Sequence, residues 1–306
     1  MRNLNEDNIT QAVLARLVDM PDNRLKSILV DLIQHLHAFA RETRLTEEEW
    51  KQGIDFLTAT GHKCTDTRQE FILLSDTLGL SQLVVAQNHQ RSSIATEQTV
   101  FGPFHVTGAP MLPPHGADIS NGAPGEPCFV SARVMAANGE PLAGATVDVW
   151  QADSEGYYDV QDAAWSDDNM SLRARFVTDD SGALSLRTVN PKHYPVPTDG
   201  TVGLMLEAMH RHPMRPAHIH FMVQKPGYDT LVTHIFSDGD EYLDSDTVFG
   251  VRSTCIGKFL RHLPGTAPDG TVLNEPFYTM NCDLVLDPIP QSDGAGATAR
   301  GELTQR

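Results

Sequence analysis

PCFVSARVMAANGEPLAGATVDVWQAD, residues 127–153, decides the fold class. Val130, Ala132 and Val134 alternate with polar neighbours, the period-two pattern of a strand with one face in a core. Asn138-Gly139 then turns the chain, since both residues tolerate the backbone a tight turn demands. Ala145, Val147 and Val149 alternate again. Outward from this stretch the texture persists in LRARFVTD (172–179), ALSLRTV (183–189), AHIHFMVQ (217–224), LVTHIFS (231–237) and CDLVLD (282–287). Gly, Pro, Asn and Asp punctuate these runs. Six or more short strands with no helices between them predict an antiparallel β-sandwich rather than an α/β fold.

Towards the N-terminus the pattern changes. In DNRLKSILVDLIQHLHAFARETR (22–44), Leu25, Ile28, Leu29, Leu32, Ile33, Leu36 and Phe39 recur at spacings of three and four, the stripe of an amphipathic helix. LTEEEWKQGIDFLTATG (45–61) adds a capping box, Thr46 with Glu49, and an apolar series Trp50, Ile54, Leu57; Gly61 is its expected terminator. TRQEFILLSDTLGLSQLVVAQNH (67–89) reads as a further helical segment, and a shorter one falls near 6–19. The chain therefore divides into a helical domain, residues 1–95, and a β-sandwich domain, residues 96–306. The polar tail QSDGAGATARGELTQR is expected to be mobile.

The 306 residues are enough for a large core without disulfides. A net charge of −17, from 23 Lys and Arg against 40 Asp and Glu, repels phosphate backbones and anionic headgroups, which argues against nucleic-acid or membrane-surface partners. No run approaches the apolar length of a membrane span, and the N-terminal residues carry no secretory h-region. Cys64, Cys128, Cys255 and Cys282 are scattered with no CxxC pair, which excludes a zinc ribbon and fits reduced thiols in the cytoplasm.

The densest chemistry lies in RHPMRPAHIHFM (211–222). On a strand, His218 and His220 project from one face with Ile219 opposed, a common beginning for a metal site. The spacing alone names no metal, because cupin-like sandwiches, zinc hydrolases and copper proteins all use such a pair, and polar surface is the plain alternative. Tyr158 and Tyr194 fall where strands give way to turns. Spacing does not separate Tyr158 from Tyr157, and either could be a solvated rim aromatic.

TVDVWQADSEGYYDVQ (146–161), NPKHYPVPTDG (190–200) and RHPMRPAHIHF (211–221), in that order, resemble the intradiol ring-cleaving dioxygenases. The likeness extends through TVFGPFHVTGAP (99–110) and LVTHIFSDGDEYLDSDTVFGV (231–251) and covers most of the chain. Within the family it is nearest the hydroxyquinol-cleaving members, with catechol- and chlorocatechol-cleaving enzymes as close relatives. The resemblance implies one Fe(III) per subunit, held by Tyr158, Tyr194, His218 and His220; the family tyrosine is the second residue after the glycine, which selects Tyr158. It implies that Tyr194 leaves the metal to act as general base and that Arg215 stabilises charge developing on the ring. His234, where catechol-specific relatives carry Gln, would position oxygen, with a core histidine as the alternative.

The resemblance further maps a ring pocket onto Leu73, Asp76, Val100, Phe101, Gly102, Pro103, Phe104, Val196, Pro197, Arg215 and Val248. Most of these are apolar, as a flat ring requires. Asp76 is the exception. Its carboxylate would accept from a third ring hydroxyl, which favours hydroxyquinol, opened with O2 to 3-hydroxy-cis,cis-muconate and maleylacetate; a solvated helix residue is the alternative. The family also implies a homodimer through the N-terminal helices, with phospholipid bound there. Two other readings stay open: a non-catalytic prealbumin-like sandwich, and a cupin-like enzyme using His218, His220 and His234.

Overall fold

The computed structural model describes residues 3–65, 68–162 and 164–289; the tail expected to be mobile lies outside the described residues. The chain forms two compact units, Met1–His62 and Lys63–Arg306.

Helices dominate the first unit. Helix α1 (Ile9–Leu14) precedes α2 (Arg24–Glu42) and α3 (Glu47–Lys63). Asn23 caps α2 by accepting from the Lys26 N–H at 3.2 Å. The Thr46–Glu49 capping box forms in both directions, at 2.9 and 3.2 Å. Gly61 does not end α3, which runs on to Lys63. The apolar row Leu25, Ile28, Leu32, Leu36 and Phe39 is exposed along α2, as are Trp50, Ile54 and Leu57 on α3. No described helix is long and apolar enough to cross a membrane.

The second unit opens with α4 (Glu70–Thr77) and α5 (Leu80–Asn88), which the periodicity had joined as one segment. Gly79 separates them by taking φ +76°, a left-handed step that breaks the hydrogen-bond ladder. Two five-stranded sheets follow. One has the order β1 (Ala117–Asp118), β5 (Ala183–Val189), β2 (Pro127–Ala136), β14 (Phe277–Leu286), β11 (Leu260–His262). The other runs β10 (Ile256–Gly257), β9 (Leu231–Ser237), β8 (His218–Gln224), β3 (Thr146–Trp150), β4 (Arg173–Val177). Two short ribbons pair β6 (Tyr194–Pro195) with β7 (Met214–Arg215), and β12 (Gly265–Thr266) with β13 (Val272–Leu273).

The expectation of an antiparallel sandwich needs correction, because the sheets are mixed. β14 runs parallel to β2 from Tyr278↔Cys128 to Leu286↔Ala136, and β1–β5 and β10–β9 are parallel too. Alternation reports which face is buried and is blind to the direction of the partner strand. The Asn138-Gly139 turn closes a bridge between Met135 and Pro141, but β2 and β3 then enter different sheets. A helix also interrupts the strands, α6 (Thr201–Ala208).

The core takes alternate residues from both sheets: Val130, Ala132 and Val134 of β2, Val147 and Val149 of β3, Ile219 and Phe221 of β8, Met280 and Leu284 of β14. Period two then puts Trp150, His218, His220 and His234 on the opposite face of the second sheet. They are buried there as well, under loops.

Candidate metal centre

Strand register builds the floor of the site. β3 places Trp150 beside His220, and β9 places His234 on the other side of it. Trp150 stacks on the His220 ring at 4.6 Å and 15°, and the His234 ring lies 4.1 Å from it. The His218 Nδ1 is 2.7 Å from the Pro216 carbonyl. A carbonyl only accepts, so Nδ1 carries the proton and the Nε2 lone pair is free to bind. The His234 Nδ1 bonds to the Thr99 hydroxyl, and its buried Nε2 has no hydrogen-bond partner among the described residues. Burial is the first cause pushing all three imidazoles well below the ordinary histidine pKa; next come the Arg215 charge for His218 and a neighbouring ring for His220 and His234. Three neutral rings result, and among the described residues their ligand atoms lie within 4.8 Å of one another.

Two tyrosines complete the cluster. Asp153 folds its loop by accepting from the Glu155 and Tyr157 N–H groups at 2.8 and 3.0 Å. Gly156 follows at φ +91°, so close to Tyr194 that a Cβ there would sit 2.3 Å from the tyrosine Cβ. Glycine is therefore what lets this loop cross Tyr194. Beyond it Tyr157 is 59% exposed and Tyr158 is 1% exposed, which separates the neighbours that spacing could not. The Tyr158 hydroxyl lies 3.0 Å from that of Tyr194, 2.8 Å from the His220 Nε2 and 3.5 Å from the His218 Nε2. Phe104 stacks on Tyr158 at 4.4 Å. Burial, then the adjacent Tyr194, push the Tyr158 phenol well above its ordinary pKa. Such a phenol ionises only beside concentrated positive charge, and two phenols with two imidazole nitrogens form a donor set suited to a hard trivalent cation.

Arg215 sits across the β6–β7 pair from Tyr194. It is buried, donates to Asp246 at 3.2 and 3.4 Å, and its Nη1 lies 3.4 Å from the His218 Nε2. Burial opposes its charge, but Asp246 and Tyr194 outweigh burial and raise its pKa, so it stays a cation. Asp246 is held in turn by the Val248 and Gly250 N–H groups, at 3.3 and 2.9 Å.

The outlying residues are placed more loosely. Asp76 is buried on α4, one turn after half-buried Leu73. Burial first raises its carboxyl pKa, and a Ser81 hydrogen bond and the Arg215 charge partly offset this. Val100, Val196 and Val248 are buried, Phe101 and Pro197 half-buried, and Pro103 exposed. Gly102 takes φ +75°, and a Cβ added there would meet the His220 ring at 3.5 Å. Trp150, Thr99 and Asp246 escaped the sequence reading, and Gly156 served there only as the landmark for Tyr158. Of the three, only Trp150 carried a signal, through its alternation with Val149.

Residues 100–288 match a family model described as dioxygenase, and residues 22–96 match one described as catechol dioxygenase N terminus. The 6-chlorohydroxyquinol 1,2-dioxygenase of Cupriavidus pinatubonensis is 53% identical over 94% of this chain and 99% of its own. The hydroxyquinol 1,2-dioxygenase of Nocardioides simplex is 46% identical over 92% and 96%. Among solved structures, a hydroxyquinol 1,2-dioxygenase from Pseudomonas putida superposes with TM-score 0.85 at 44% identity, covering 93% of this chain and 99% of that one.

Proposed function

This chain belongs to the dioxygenase family, as an intradiol ring-cleaving enzyme, and we propose from that premise that it opens hydroxyquinol with O2 between adjacent hydroxyls. Both oxygen atoms end in 3-hydroxy-cis,cis-muconate, which tautomerises to maleylacetate. One observation carries the reading: in a chain of this family the buried Tyr158 hydroxyl lies within 3.5 Å of the Tyr194 hydroxyl and of both imidazole Nε2 atoms, which are themselves 3.2 Å apart. Tyr158, Tyr194, His218 and His220 would hold one Fe(III). Ferric iron, when bound, supplies the Lewis acidity that keeps the phenols ionised and lets a chelated diol give electron density to O2.

The chain's own groups do the rest. Tyr194 would give up its place in the donor set and, as a phenolate, accept a proton from a substrate hydroxyl at its phenolic oxygen. Arg215 holds a permanent positive charge next to His218, where charge developing on the ring is stabilised without solvent reorganisation. His234, with its Nδ1 tied to Thr99 and its buried Nε2 unpartnered among the described residues, would position oxygen. Phe101, Phe104, Val100, Val196 and Val248, with Gly102, Leu73, Pro103 and Pro197, flank a flat ring and exclude water. Asp76 accepts from the third hydroxyl. The 53% relative named for 6-chlorohydroxyquinol supports a trihydroxybenzene substrate and places chlorinated triols within the range to be tried.

Two further parts of the reading concern the whole protein. The helical domain, residues 1–95, serves dimerisation, supported by the exposed apolar row from Leu25 to Phe39. The four metal-binding side chains, Arg215 and His234 all belong to residues 96–306, with Leu73 and Asp76 reaching the ring from α4, and a cytoplasmic location fits four free cysteines. The visible spectrum of the purified enzyme tests the centre: ferric tyrosinate gives a broad wine-red band. Oxygen uptake with hydroxyquinol then tests the reaction. Iron-loaded protein that is colourless, or coloured protein that consumes no oxygen, would sink the proposal, and the first outcome would favour the three-histidine alternative.

A further inference from the structure

Arg211 stands outside the metal cluster, and its contacts join two elements that carry proposed pocket residues. Helix α6 ends at Ala208 and His210 takes φ +53°, so the Arg211 N–H turns back to the Leu206 carbonyl at 2.9 Å. This termination fixes where the side chain leaves the backbone. The guanidinium donates to the Thr77 carbonyl at 2.6 Å through Nη1 and to the Thr247 carbonyl at 2.8 Å through Nη2. It also lies 4.9 Å from the centroid of the Phe249 ring. That ring rests against Gly79, where an added Cβ would meet it at 3.4 Å.

Thr77 is the last residue of α4, and its carbonyl is among those the end of a helix leaves unpaired. The residue before it is Asp76. Thr247 lies between Asp246, which pairs with Arg215, and Val248. One planar fork thus bridges the end of the Asp76 helix and the loop that anchors Arg215.

We propose that Arg211 is a positioning residue for substrate specificity: it bolts α4 to the 246–250 loop and so sets the distance at which the Asp76 carboxylate meets the ring held near Arg215. The inference rests on the reading of Asp76 as acceptor for the third hydroxyl. Arg211 itself touches neither substrate nor metal.

Arg211→Met removes both donors and keeps the aliphatic bulk, and Arg211→Lys returns one donor. In iron-loaded enzyme, Arg211→Met should keep iron content and the visible band. It should lower the hydroxyquinol-to-catechol ratio of kcat/KM about tenfold, mainly through the KM for hydroxyquinol, because a misplaced contact weakens only the substrate that uses it. Lys should restore part of the ratio. In an Asp76→Leu background the same change should leave the ratio alone, since the effect passes through Asp76. An unchanged ratio in the single variant, or equal losses for both substrates with a lowered Tm, overturns the proposal by making Arg211 merely structural. Amide hydrogen exchange guards against a failure of the Asp76 reading. If Asp76→Leu alone leaves the ratio unmoved, that reading fails. The bolt then stands if Arg211→Met speeds exchange in both 70–78 and 246–250, and falls if it does not.

Discussion

Gly156→Ala adds one methyl group where the loop bearing Tyr158 crosses Tyr194, and two costs follow. A Cβ on left-handed backbone is unfavourable by about 1–2 kcal/mol. The new carbon would also sit 2.3 Å from the Tyr194 Cβ. Carbon contacts settle near about 3.5–4.0 Å, so loop or tyrosine must shift by more than about 1 Å, and overpacking of this kind costs about 1–3 kcal/mol. Together these reach about 2–5 kcal/mol, which lowers Tm by roughly 4–20 °C in a domain of this size. The shift also separates two hydroxyls now 3.0 Å apart, so iron loading and the visible band should fall together. Gly139→Ala is the matched control: φ is +87° but an added Cβ meets none of the described residues within 4 Å, so it carries only the backbone cost of about 1–2 kcal/mol and should load iron fully. The assay is calorimetric Tm with iron per chain for both variants grown in the same medium. Gly156→Ala melting with Gly139→Ala and carrying wild-type iron would refute the argument.

Tyr158→Phe should lose iron and colour in step, as metal analysis of the purified variant will report; full ferric occupancy would remove Tyr158 from the ligand set. Arg215→Lys should retain iron while kcat falls at least about 100-fold, because a single ammonium does not reproduce the fork; near-normal kcat would leave Arg215 without a part in the chemistry. Asp76→Leu should lower the hydroxyquinol-to-catechol ratio of kcat/KM by about 10- to 150-fold, the worth of a hydrogen bond to a charged acceptor; equal ratios in wild type and variant would show that Asp76 does not read the third hydroxyl. Lys63, then Arg68, hold the Asp199 carboxyl down to about 2 from its ordinary 3.8. The pair's contribution is therefore complete above 3.8 and fades as pH falls through 2, so Asp199→Asn should flatten the acid side of a urea-midpoint titration. Solvent screening keeps the difference below about 1 kcal/mol.

Local alternation was enough to find the strands and to set His218 and His220 on one face, because both follow from a period of two. Neighbours across a sheet were beyond its reach. Nothing in residues 277–286 announces a parallel match to β2, and the register that sets Trp150, His220 and His234 in a row is a property of three strands together. The hidden end of helix α4 was a matter of one glycine, Gly79, whose left-handed step has no mark in a periodicity count. Tyr158 and Tyr194 lie 36 positions apart, so only family likeness joined them in the sequence, and Gly156 acquired its reason only when Tyr194 was seen beneath it. Asp246 and Thr99 were missed because an acid and a hydroxyl in loops look like any others until Arg215 and His234 are found facing them.

The parallel pairing of β2 with β14 joins residues 150 positions apart and leaves β2 in the middle of its sheet. On a ribosome, every residue of the metal centre emerges before β14 does. About a hundred residues separate the end of β5 from the end of β14, roughly 5–20 s of synthesis. Through that interval one edge of β2 has no partner, and an open hydrogen-bonding edge accepts any extended chain that reaches it. The catalytic sheet is thus finished early and its companion sealed last, so slow translation or crowding with sister chains threatens the yield of folded enzyme through β2, far from the residues that do the chemistry.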